Sequence, residues 1–484
     1  MVFFRCFAIS LLLSASLSFA VDQPAELSET ANRLAGSIYT GPSANTLSEL
    51  ADGYGGRLTG SPEYRRATEW AEAKFRSYGI QNVRVEPFPM SSGWQRGWAH
   101  AEMTAPLSRH LYIESLGWSP STPAGGIKGN VIEIQEVSAE KIKAQAGQIK
   151  GHIVLLNLDK LFAQGFWKSV AQLLAAPKLL KDAGALAVLV PDSVTNNAHS
   201  ALGLQWGGDL TALPAGEIGM EDTKLVRRLL ERGPVTIQFE FQDKVSGPIQ
   251  VNNVIAEIPG SEHPDEWILL GAHFDSWDYG TGAQDNGSGA AMVIEAARAL
   301  AAMGKRPRRT IRFALWGGEE QGLLGSYAYS LAHKDEMSKC IAVLNTDNGA
   351  GHPEGWKVEG REDLKAAMKP LSDSVLKNLS GEELSMETTY DTDHGPFLLQ
   401  GVPVLDLLVD ESHYGEVHHK ASDTFDKVDP LFLKSDAAIL AVTAYAIEEA
   451  QQPIVPHIDH AAVGEILKKA DLDQFLTDVG VWKP

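Results

Sequence analysis

The fold is decided between residues 251 and 350, where an apolar run ends in polar residues: Trp267-Ile-Leu-Leu270 leads into Gly-Ala-His273-Phe-Asp275. A short, uninterrupted apolar run is typical of a strand that is buried on both faces of a sheet. Similar strand signals lie at Val254–Ile258, Thr310–Leu315, Ile341–Leu344 and Val402–Leu408. Helical patterns alternate with them at Gly289–Met303, Gly322–Leu331, Asp363–Leu379 and Ser435–Glu449. This alternation predicts an α/β fold with a mostly parallel sheet and helices on both faces.

The composition is that of a folded, acidic protein. The 484 residues are 44% hydrophobic and 21% charged, which excludes wholesale disorder and collagen-like repeats. At roughly 100–200 residues per domain, two or three domains are expected. Acidic residues outnumber basic ones by 62 to 42, so no basic field is available to attract nucleic acid or an anionic membrane. We therefore expect neither of these as a partner.

The first twenty residues read as a signal peptide. Arg5 precedes the apolar run Cys6–Leu17, and the small residues of Ser18-Phe-Ala20 suit cleavage before Val21. The run is shorter than the roughly 20 residues that span a bilayer, although an uncleaved anchor is the alternative. We predict that residues 1–20 are removed and that the protein is periplasmic or secreted, with no membrane segment after cleavage. Only Cys340 would then remain, which excludes an internal disulfide.

Metal-binding residue types follow the predicted strands. They are His273, Asp275, Asp285, Glu319, Glu320, Asp347 and, nearer the C-terminus, His418, His419 and Asp423. Ligand sites in open α/β sheets gather at the carboxyl ends of the strands, where these residues lie. Two imidazoles and three carboxylates could hold a pair of zinc ions, with a fourth carboxylate left over. Taken singly, each residue has a structural explanation, such as an interior histidine or a helix N-terminus, but together they favour a metal site.

The order and spacing of these residues resemble the co-catalytic zinc exopeptidases of the bacterial aminopeptidase type. The resemblance rests on His273-x-Asp275, Asp285 in Asp-Asn-Gly-Ser-Gly289, Glu319-Glu320, Asp347, and His419 with Asp423-Thr424. Within that family, two longer strings are most similar to the plasma glutamate carboxypeptidase (carboxypeptidase Q) branch. They are His273-Phe-Asp-Ser-Trp-Asp278 and Leu315-Trp-Gly-Gly-Glu-Glu-Gln-Gly322. The similarity is weaker over residues 385–430, which include much of the expected substrate pocket.

The resemblance implies two zinc ions per chain and a ligand set for each. Asp285 would bridge the two ions. His273 and Asp347 would complete one site, and Glu320 and His419 the other. A carboxylate that bridges two metals holds them about 3.5–4 Å apart, which suits a shared hydroxide.

The resemblance also implies the catalytic residues. Glu319 would be the general base that takes a proton from the metal-bound water, and Asp275 would orient an imidazole. His418 is the rival of His419 as a ligand. The four-residue step to Asp423 favours His419.

The chain divides into two parts in this interpretation. Residues 21–114 and 246–484 would form the peptidase domain, and residues 115–245 would form an inserted domain of the protease-associated type. The insert has strand and helix signals of its own but none of the predicted metal ligands. We therefore expect it to shield or shape the cleft and to help select substrate size.

The predicted function is that of a zinc-dependent exopeptidase that hydrolyses short peptides, with unblocked dipeptides preferred. An aminopeptidase that removes N-terminal residues from longer peptides is the alternative, because Thr392-Asp-His394 resembles that side of the family. A receptor-type binding protein on the same fold would have lost ligands, and none is missing. A glutaminyl cyclase would use one zinc ion. The short peptide is the expected partner, and a homodimer is possible.

Two other enzyme classes fit the sequence poorly. Gly280-Thr-Gly282 could suggest a nucleotide site, but its spacing is not that of the dinucleotide-binding fingerprint, and acidic residues lie where phosphate would bind. Ser288 lacks the glycine two residues earlier that a hydrolase nucleophile elbow requires, because Asn286 is at that position.

Overall fold

The computed structural model describes residues 24–484, so the predicted signal peptide, residues 1–20, lies outside the described residues. The strands are β1 (Asn82–Met90), β2 (Gly93–Ala105), β3 (Arg109–His110), β4 (Ile113–Ser115), β5 (Ile127–Ile134), β6 (Ile153–Leu156), β7 (Ala187–Pro191), β8 (Ala215–Ile218), β9 (Thr236–Ser246), β10 (Ile249–Ile258), β11 (His263–His273), β12 (Arg309–Trp316), β13 (Cys340–Asn345), β14 (Pro353–Lys357), β15 (Glu383–Ser385) and β16 (Val404–Val409). The helices are α1 (Pro24–Tyr39), α2 (Ser43–Tyr54), α3 (Pro62–Ser77), α4 (Ala139–Ala144), α5 (Ala146–Ile149), α6 (Leu158–Phe162), α7 (Phe166–Asp182), α8 (Met220–Leu230), α9 (Ser288–Ala302), α10 (Leu324–Ala332), α11 (Glu362–Ser374), α12 (Gly395–Leu398), α13 (Tyr414–Val417), α14 (Pro430–Glu449), α15 (His460–Lys469) and α16 (Asp473–Asp478). Short 3₁₀ turns lie at Lys334–Lys339, Leu376–Leu379 and Phe425–Lys427, and a wide turn, Ala283–Gly287, precedes α9.

The first sheet has eight strands in the order β1-β10-β12-β11-β13-β16-β14-β15. Its centre is parallel, because β12, β11, β13 and β16 run in the same direction. On one side β10 pairs antiparallel with both β1 and β12, and on the other side β14 pairs antiparallel with β16 and parallel with β15. The sheet is therefore mixed, which corrects the prediction of a mostly parallel sheet. Apolar runs identify buried strands, but they do not reveal strand direction.

The central strand β11 has side chains in two separate cores. Ile268 and Leu270 belong to a large apolar cluster that includes residues of α9 and α14. Trp267 and Leu269 belong to a second cluster with residues of α10 and α12. Since successive side chains of a strand point to opposite faces, helices cover both faces of this sheet.

Helix α14 is the most apolar long helix of the described chain. Within residues 24–484 it alone is long and apolar enough to cross a membrane, with a mean hydropathy of 1.4. Its most apolar stretch is 78% buried inside the protein, and it packs against α1 and α9. It is therefore placed as a core helix of the first sheet.

A second sheet of eight strands has the order β3-β2-β9-β5-β6-β7-β8-β4. Its apolar side chains form their own buried cluster, which includes Val154, Leu189 and Phe239. We call residues 93–246 the second unit and the rest of the described chain the main unit. The second sheet includes β2, which pairs with β9 although it lies before the predicted boundary of the insert between residues 114 and 115. The predicted domain limits and the protease-associated type of the insert stay predictions.

Candidate active site

Three parallel strands bring the predicted site residues to one edge of the first sheet. His273 is the last residue of β11 and lies opposite Trp316, the last residue of β12. Gly271 of β11 lies opposite Asn345, the last residue of β13. The turn with Glu319 and Glu320 follows β12, and Asp347 follows β13. The carboxyl ends of the strands thus form the candidate site, as the motif positions predict.

One group of side chains surrounds the His273 imidazole. Its Nε2 atom lies 2.9 Å from Asp347 Oδ1 and 3.1 Å from Asp285 Oδ1. Glu319 Oε2 lies further away, at 3.9 Å from the same nitrogen. All of these side chains are largely buried, and His273 is 1% exposed.

A second group surrounds the His419 imidazole. Its Nε2 atom lies 3.0 Å from Glu320 Oε2 and 3.4 Å from Asp285 Oδ2. Asp285 therefore faces His273 with one carboxylate oxygen and His419 with the other. This is the arrangement that a bridging carboxylate between two cations requires.

The two groups fit metal ions. Tetrahedral zinc with bonds of about 2.0–2.2 Å separates its ligand atoms by about 3.3–3.6 Å, and the separations here are 2.9–3.4 Å. Glu320 Oε1 and Asp347 Oδ1 are buried and accept no hydrogen bond. Buried oxygens of this kind ordinarily have partners. A pair of cations would supply the missing partners of these acceptors.

The electrostatics of the cluster show the same need. Burial, together with the charges of Asp347 and Glu320, raises the pKa of Glu319 well above its ordinary value. Burial and the charge of Asp285 raise the pKa of Glu320 in the same direction. Burial alone would lower the pKa of His273, but Asp347 and Glu319 raise it well above its ordinary value. Cations between these groups would remove the repulsion between the carboxylates.

Asp275 contacts both the imidazole of His273 and the turn that follows β12. Its carboxylate accepts hydrogen bonds from Thr59 Oγ1 at 2.6 Å and from the backbone amides of Glu319 and Glu320 at 3.2 and 3.4 Å. His273 Nδ1 lies 3.0 Å from the backbone carbonyl of Asp275 and 3.7 Å from its carboxylate. The Asp275 carboxylate thus fixes the Glu319–Glu320 turn, and the Asp275 backbone carbonyl contacts the imidazole of His273.

Asp423 holds the turn that carries Asp285. One of its carboxylate oxygens accepts from the amides of Ala283 and Gln284 at 3.1 and 2.7 Å, and the other accepts from the amide of Asp285 at 3.1 Å. Through these three hydrogen bonds Asp423 orients the Asp285 carboxylate, which faces both imidazoles. The peptide bond between Asp285 and Asn286 is cis.

Arg57 is a supporting residue that the sequence interpretation missed. Its fully buried guanidinium donates to the carbonyls of Phe274, Thr281 and Gly282 at 2.8–2.9 Å. It thus joins the two ends of the loop between β11 and the Asp285 turn. Burial lowers the pKa of Arg57 to about 10, against the charges of Asp423 and Asp275.

Glycines around Arg57 carry the sequence signal that could have identified it. Gly55 and Gly56 precede it, and Gly60 follows closely. A Cβ atom on Gly56 would lie 2.9 Å from the Cα atom of Asp278, so this segment passes close to the loop after β11. Such a close backbone approach requires glycine.

The two neighbouring histidines differ in position. His418 Nε2 lies 3.6 Å from Asp285 Oδ2, and its side chain is 44% exposed. His419 is 22% exposed and is the one that also faces Glu320. The two rings stack with centroids 3.8 Å apart. This geometry supports His419 rather than His418 as the ligand beside Glu320.

The site opens into a cleft of about 1340 Å³, including the solvent at its mouth, between the two units. Apolar side chains of the second unit form one wall: Phe166, Trp167, Val170 and Leu174 of α7, with Leu202 and Trp206. The amide of Ala201 in the second unit donates to the carbonyl of His419 at 2.7 Å. The second unit therefore touches the site directly.

Comparison with known proteins places this geometry in a family. The profile of "Peptidase family M28" matches residues 253–444. Carboxypeptidase Q from Mus musculus is 31% identical over 414 residues, which cover 85% of this chain and 86% of that protein.

Solved structures share the fold. A peptidase M28 precursor from Shewanella amazonensis SB2B has a TM-score of 0.78 and 28% identity, and the match covers 90% of this chain and 99% of that chain. An aminopeptidase from Aneurinibacillus sp. strain AM-1 has a TM-score of 0.65 over the same shares of the two chains, and its 23% identity shows the fold alone. The match to the mouse protein covers 85% of this chain, and the profile spans the strands and loops that form the site. The chain therefore belongs to peptidase family M28 and is an exopeptidase of the metallopeptidase class.

Proposed function

We propose that the protein is a zinc-dependent exopeptidase with two zinc ions per chain, and that it hydrolyses short peptides with unblocked dipeptides preferred. The observation that supports two ions is the position of Asp285, whose oxygens face His273 and His419 separately. Imidazole and carboxylate are ligands that suit zinc. His273 and Asp347 would hold one ion, Glu320 and His419 the other, and Asp285 both.

The proposed chemistry divides the work between the ions and Glu319. Zinc bound by these residues would polarise the carbonyl of the scissile bond and lower the pKa of a nucleophilic water. Glu319 accepts the proton of the attacking water and returns it to the departing amine. It lines the cleft and is not among the proposed ligands. Asp275 keeps the Glu319 backbone in place.

Two observations support a preference for small, unblocked substrates. The second unit closes one side of the cleft with the apolar wall of α7, which limits the space for a long chain. In a dipeptide the first peptide bond is also the last, so one bond satisfies an enzyme that recognises either free end. The similar mouse protein is named a carboxypeptidase, and a similar fold is that of an aminopeptidase.

One observation favours the alternative, an aminopeptidase that accepts longer peptides. The cleft lining includes Asp391 and Glu411, and among the described residues that line it there is no lysine or arginine. Carboxylates are suited to bind a free α-amine, whereas a substrate carboxylate would need a donor of another kind. The two proposals therefore differ in one respect: the dipeptidase needs a free C-terminus on its substrate, and the aminopeptidase does not.

The test is a panel of peptides on the zinc-loaded enzyme. It contains a free dipeptide, its N-acetylated and C-amidated forms, and the matching tripeptide and hexapeptide. We expect the free dipeptide to be cleaved best and both blocked forms to lose at least about 10²-fold in kcat/KM, because a blocked end leaves a buried polar group unpaired. Chelation should abolish the activity and zinc should restore it.

The outcomes separate the candidates. Equal cleavage of the C-amidated dipeptide and the hexapeptide from the N-terminus would establish the aminopeptidase. Cleavage at internal bonds would exclude both exopeptidases. Full activity after removal of all metal would disprove the zinc chemistry.

A further inference from the structure

A second group of metal-binding side chains lies in the second unit, apart from the site at the end of the first sheet. Asp192 directly follows β7, Glu217 is in β8, and His199 is in the loop between these strands. His199 Nδ1 lies 3.6 Å from Asp192 Oδ2 and 3.7 Å from Glu217 Oε1. One nitrogen and two carboxylate oxygens thus converge within 4.8 Å of one another.

The group is buried and incompletely satisfied. The side chains of Asp192 and Glu217 are 0% and 4% exposed, and that of His199 is 13% exposed. His199 Nδ1 is buried and has no hydrogen-bond partner, although it faces both carboxylates. Burial raises the pKa of Glu217 well above its ordinary value. Two buried acids beside an unpartnered imidazole nitrogen need a proton or a cation between them.

The surroundings hold the carboxylates in fixed positions. Asp192 accepts from the amides of Val194 and Ser200 at 2.7 and 2.8 Å. The hydroxyl of Tyr279, in the main unit, donates to Glu217 Oε1 at 2.6 Å. Hydrogen bonds to the ligating carboxylates are the usual outer support of a metal site, because they orient the ligands.

We propose that Asp192, His199 and Glu217 bind a divalent cation of the zinc type and so fix the loop at residues 192–206. The ligand separations of 3.6 and 3.7 Å are close to the about 3.3–3.6 Å expected around tetrahedral zinc. Three protein ligands leave the fourth position to water. Calcium takes six to eight oxygen ligands, and an imidazole with two carboxylates does not provide them.

The loop connects this cation site to the cleft. Two residues after His199, the amide of Ala201 donates to the carbonyl of His419 at 2.7 Å. The next residues of the loop, Leu202 and Gly203, line the cleft with Trp206. A cation that holds His199 against β7 and β8 would therefore stabilise one wall of the substrate cleft.

The test counts zinc in a chain whose catalytic sites are disabled. The double variant His273→Ala/His419→Ala should still bind about one zinc ion per chain after dialysis against zinc, measured by mass spectrometry of the metal. Adding His199→Ala should remove this ion, whereas adding His152→Ala, a change at a half-buried histidine of the same unit, should not. Absence of zinc from the double variant would overturn the proposal. Its result is independent of the proposed function, because both catalytic imidazoles are removed and the His199→Ala arm shows which site holds the remaining ion.

A second measurement covers the case in which the double variant does not fold. In the otherwise intact chain, Glu217→Gln should lower the zinc content from about three to about two ions per chain and remove part of the rise in unfolding temperature that zinc produces. Tyr279→Phe should weaken zinc binding at this site about 10–100-fold, as expected for an outer hydrogen-bond partner. Unchanged zinc content and unfolding temperature in Glu217→Gln would show that a shared proton, not a cation, joins Asp192 and Glu217.

Discussion

Two adjacent glutamates occupy different positions at the site. Glu320 lies 3.0 Å from His419, whereas Glu319 keeps 3.9 Å from His273 and faces the cleft. Both backbone amides donate to Asp275, which fixes the turn between the two side chains. Glu319 and Glu320 can therefore have different roles, because the turn between them directs their side chains to different positions.

Replacement of Glu319 by glutamine should test its role as the base. The amide keeps the shape of the side chain but cannot accept the proton, so kcat should fall by about 10²–10⁴-fold. Zinc content should stay unchanged, since Glu319 is not among the proposed ligands. Steady-state kinetics on the best dipeptide, with metal analysis of the same preparation, measure both quantities. Glu69→Gln, on the exposed face of α3, is the matched control, and a variant of Glu319 with normal turnover would remove the residue from catalysis.

The sequence predicts the groups around the imidazoles but not what supports them. His273 and Asp347 could be found because each lies just beyond an apolar run, at the carboxyl end of its strand, and this position determines the edge of the sheet. Arg57 could not be found in this way. Its partners, Phe274 and Gly282, are 217 and 225 residues away, and only the folded chain brings their carbonyls to one guanidinium. Asp275 was identified, but the hydrogen bonds of its carboxylate to backbone amides leave no trace in the sequence.

A salt bridge joins α10 to β1 across the main unit. His333, directly after α10, lies with Nε2 2.9 Å from Glu86 Oε2. The hydrogen bond to Glu86 raises the pKa of His333 above 6.5 despite partial burial. Burial raises the pKa of Glu86, but the contacts with His333 and Arg84 outweigh burial and lower this pKa below its ordinary value of 4.5. Between pH 4.5 and pH 6.5 the imidazole of His333 and the carboxylate of Glu86 are therefore both charged.

The stability from this pair should depend on pH in a defined direction. The raised pKa of His333 contributes stability that is complete below pH 6.5 and is lost as the pH rises through the folded value. The lowered pKa of Glu86 contributes stability above pH 4.5 that is lost as the pH falls. His333→Gln should lower the unfolding temperature more at about pH 5.5 than at about pH 9, by roughly 1–2 °C because solvent screens the pair. Thermal unfolding at both pH values, with exposed His110→Gln as control, measures this, and an equal or larger loss at pH 9 would contradict it.

Element identity was easier to predict than strand direction. The apolar runs of β11, β12 and β13 identify central strands, and all three have the predicted place. Neither β14, which contains Pro353 and Gly355, nor the three-residue β15 has a run long enough to recognise. Antiparallel pairing at the edges depends on where the chain returns, which no local pattern encodes.

One largely buried arginine contributes a bidentate ion pair to the contact between the two units. Arg96 of β2 binds Asp278 of the main unit with two hydrogen bonds, at 2.9 and 3.0 Å. Its guanidinium also lies 4.2 Å from the centre of the Tyr279 ring. Asp278 is in the loop that begins at His273, so this contact couples the second unit to the position of the site.

Loss of Arg96 should therefore affect both stability and catalysis. Arg96→Met leaves the Asp278 carboxylate without its partner, which should cost about 3–5 kcal/mol and lower the unfolding temperature. The shift of the loop should lower kcat/KM for dipeptides by about 10–100-fold. Arg96→Lys, which keeps the charge but not the two parallel hydrogen bonds, should have an intermediate effect.

The matched control for Arg96 is Arg109→Met. Arg109 pairs with Asp222 inside the second unit at 3.5 Å, and half of its side chain is exposed. It should leave the kinetics unchanged. If Arg96→Met cleaved dipeptides as the unaltered enzyme does, the two units would not be coupled through this contact.

Several expectations about the whole molecule stay predictions. Export to the periplasm or secretion depends on residues 1–20, which lie outside the described residues. The domain limits and a homodimer are equally open to test, by limited proteolysis and by measurement of mass in solution. The fold class, by contrast, followed from the chain alone apart from the direction of the outer strands.

The hydrogen bond from Ala201 to the carbonyl of His419 has a consequence for how such enzymes diversify. A bond between two backbone groups places no demand on side-chain identity, so the loop can change its residues and still dock on the histidine segment. Recombination between related genes could therefore exchange the second unit as a module and alter the substrate wall while it keeps the catalytic geometry. In a library of chimaeras that carry foreign second units, we expect activity in the hybrids that keep the loop length between β7 and β8 and that keep Arg96 and Glu217, the partners of Asp278 and Tyr279. Similarity elsewhere in the unit should matter less.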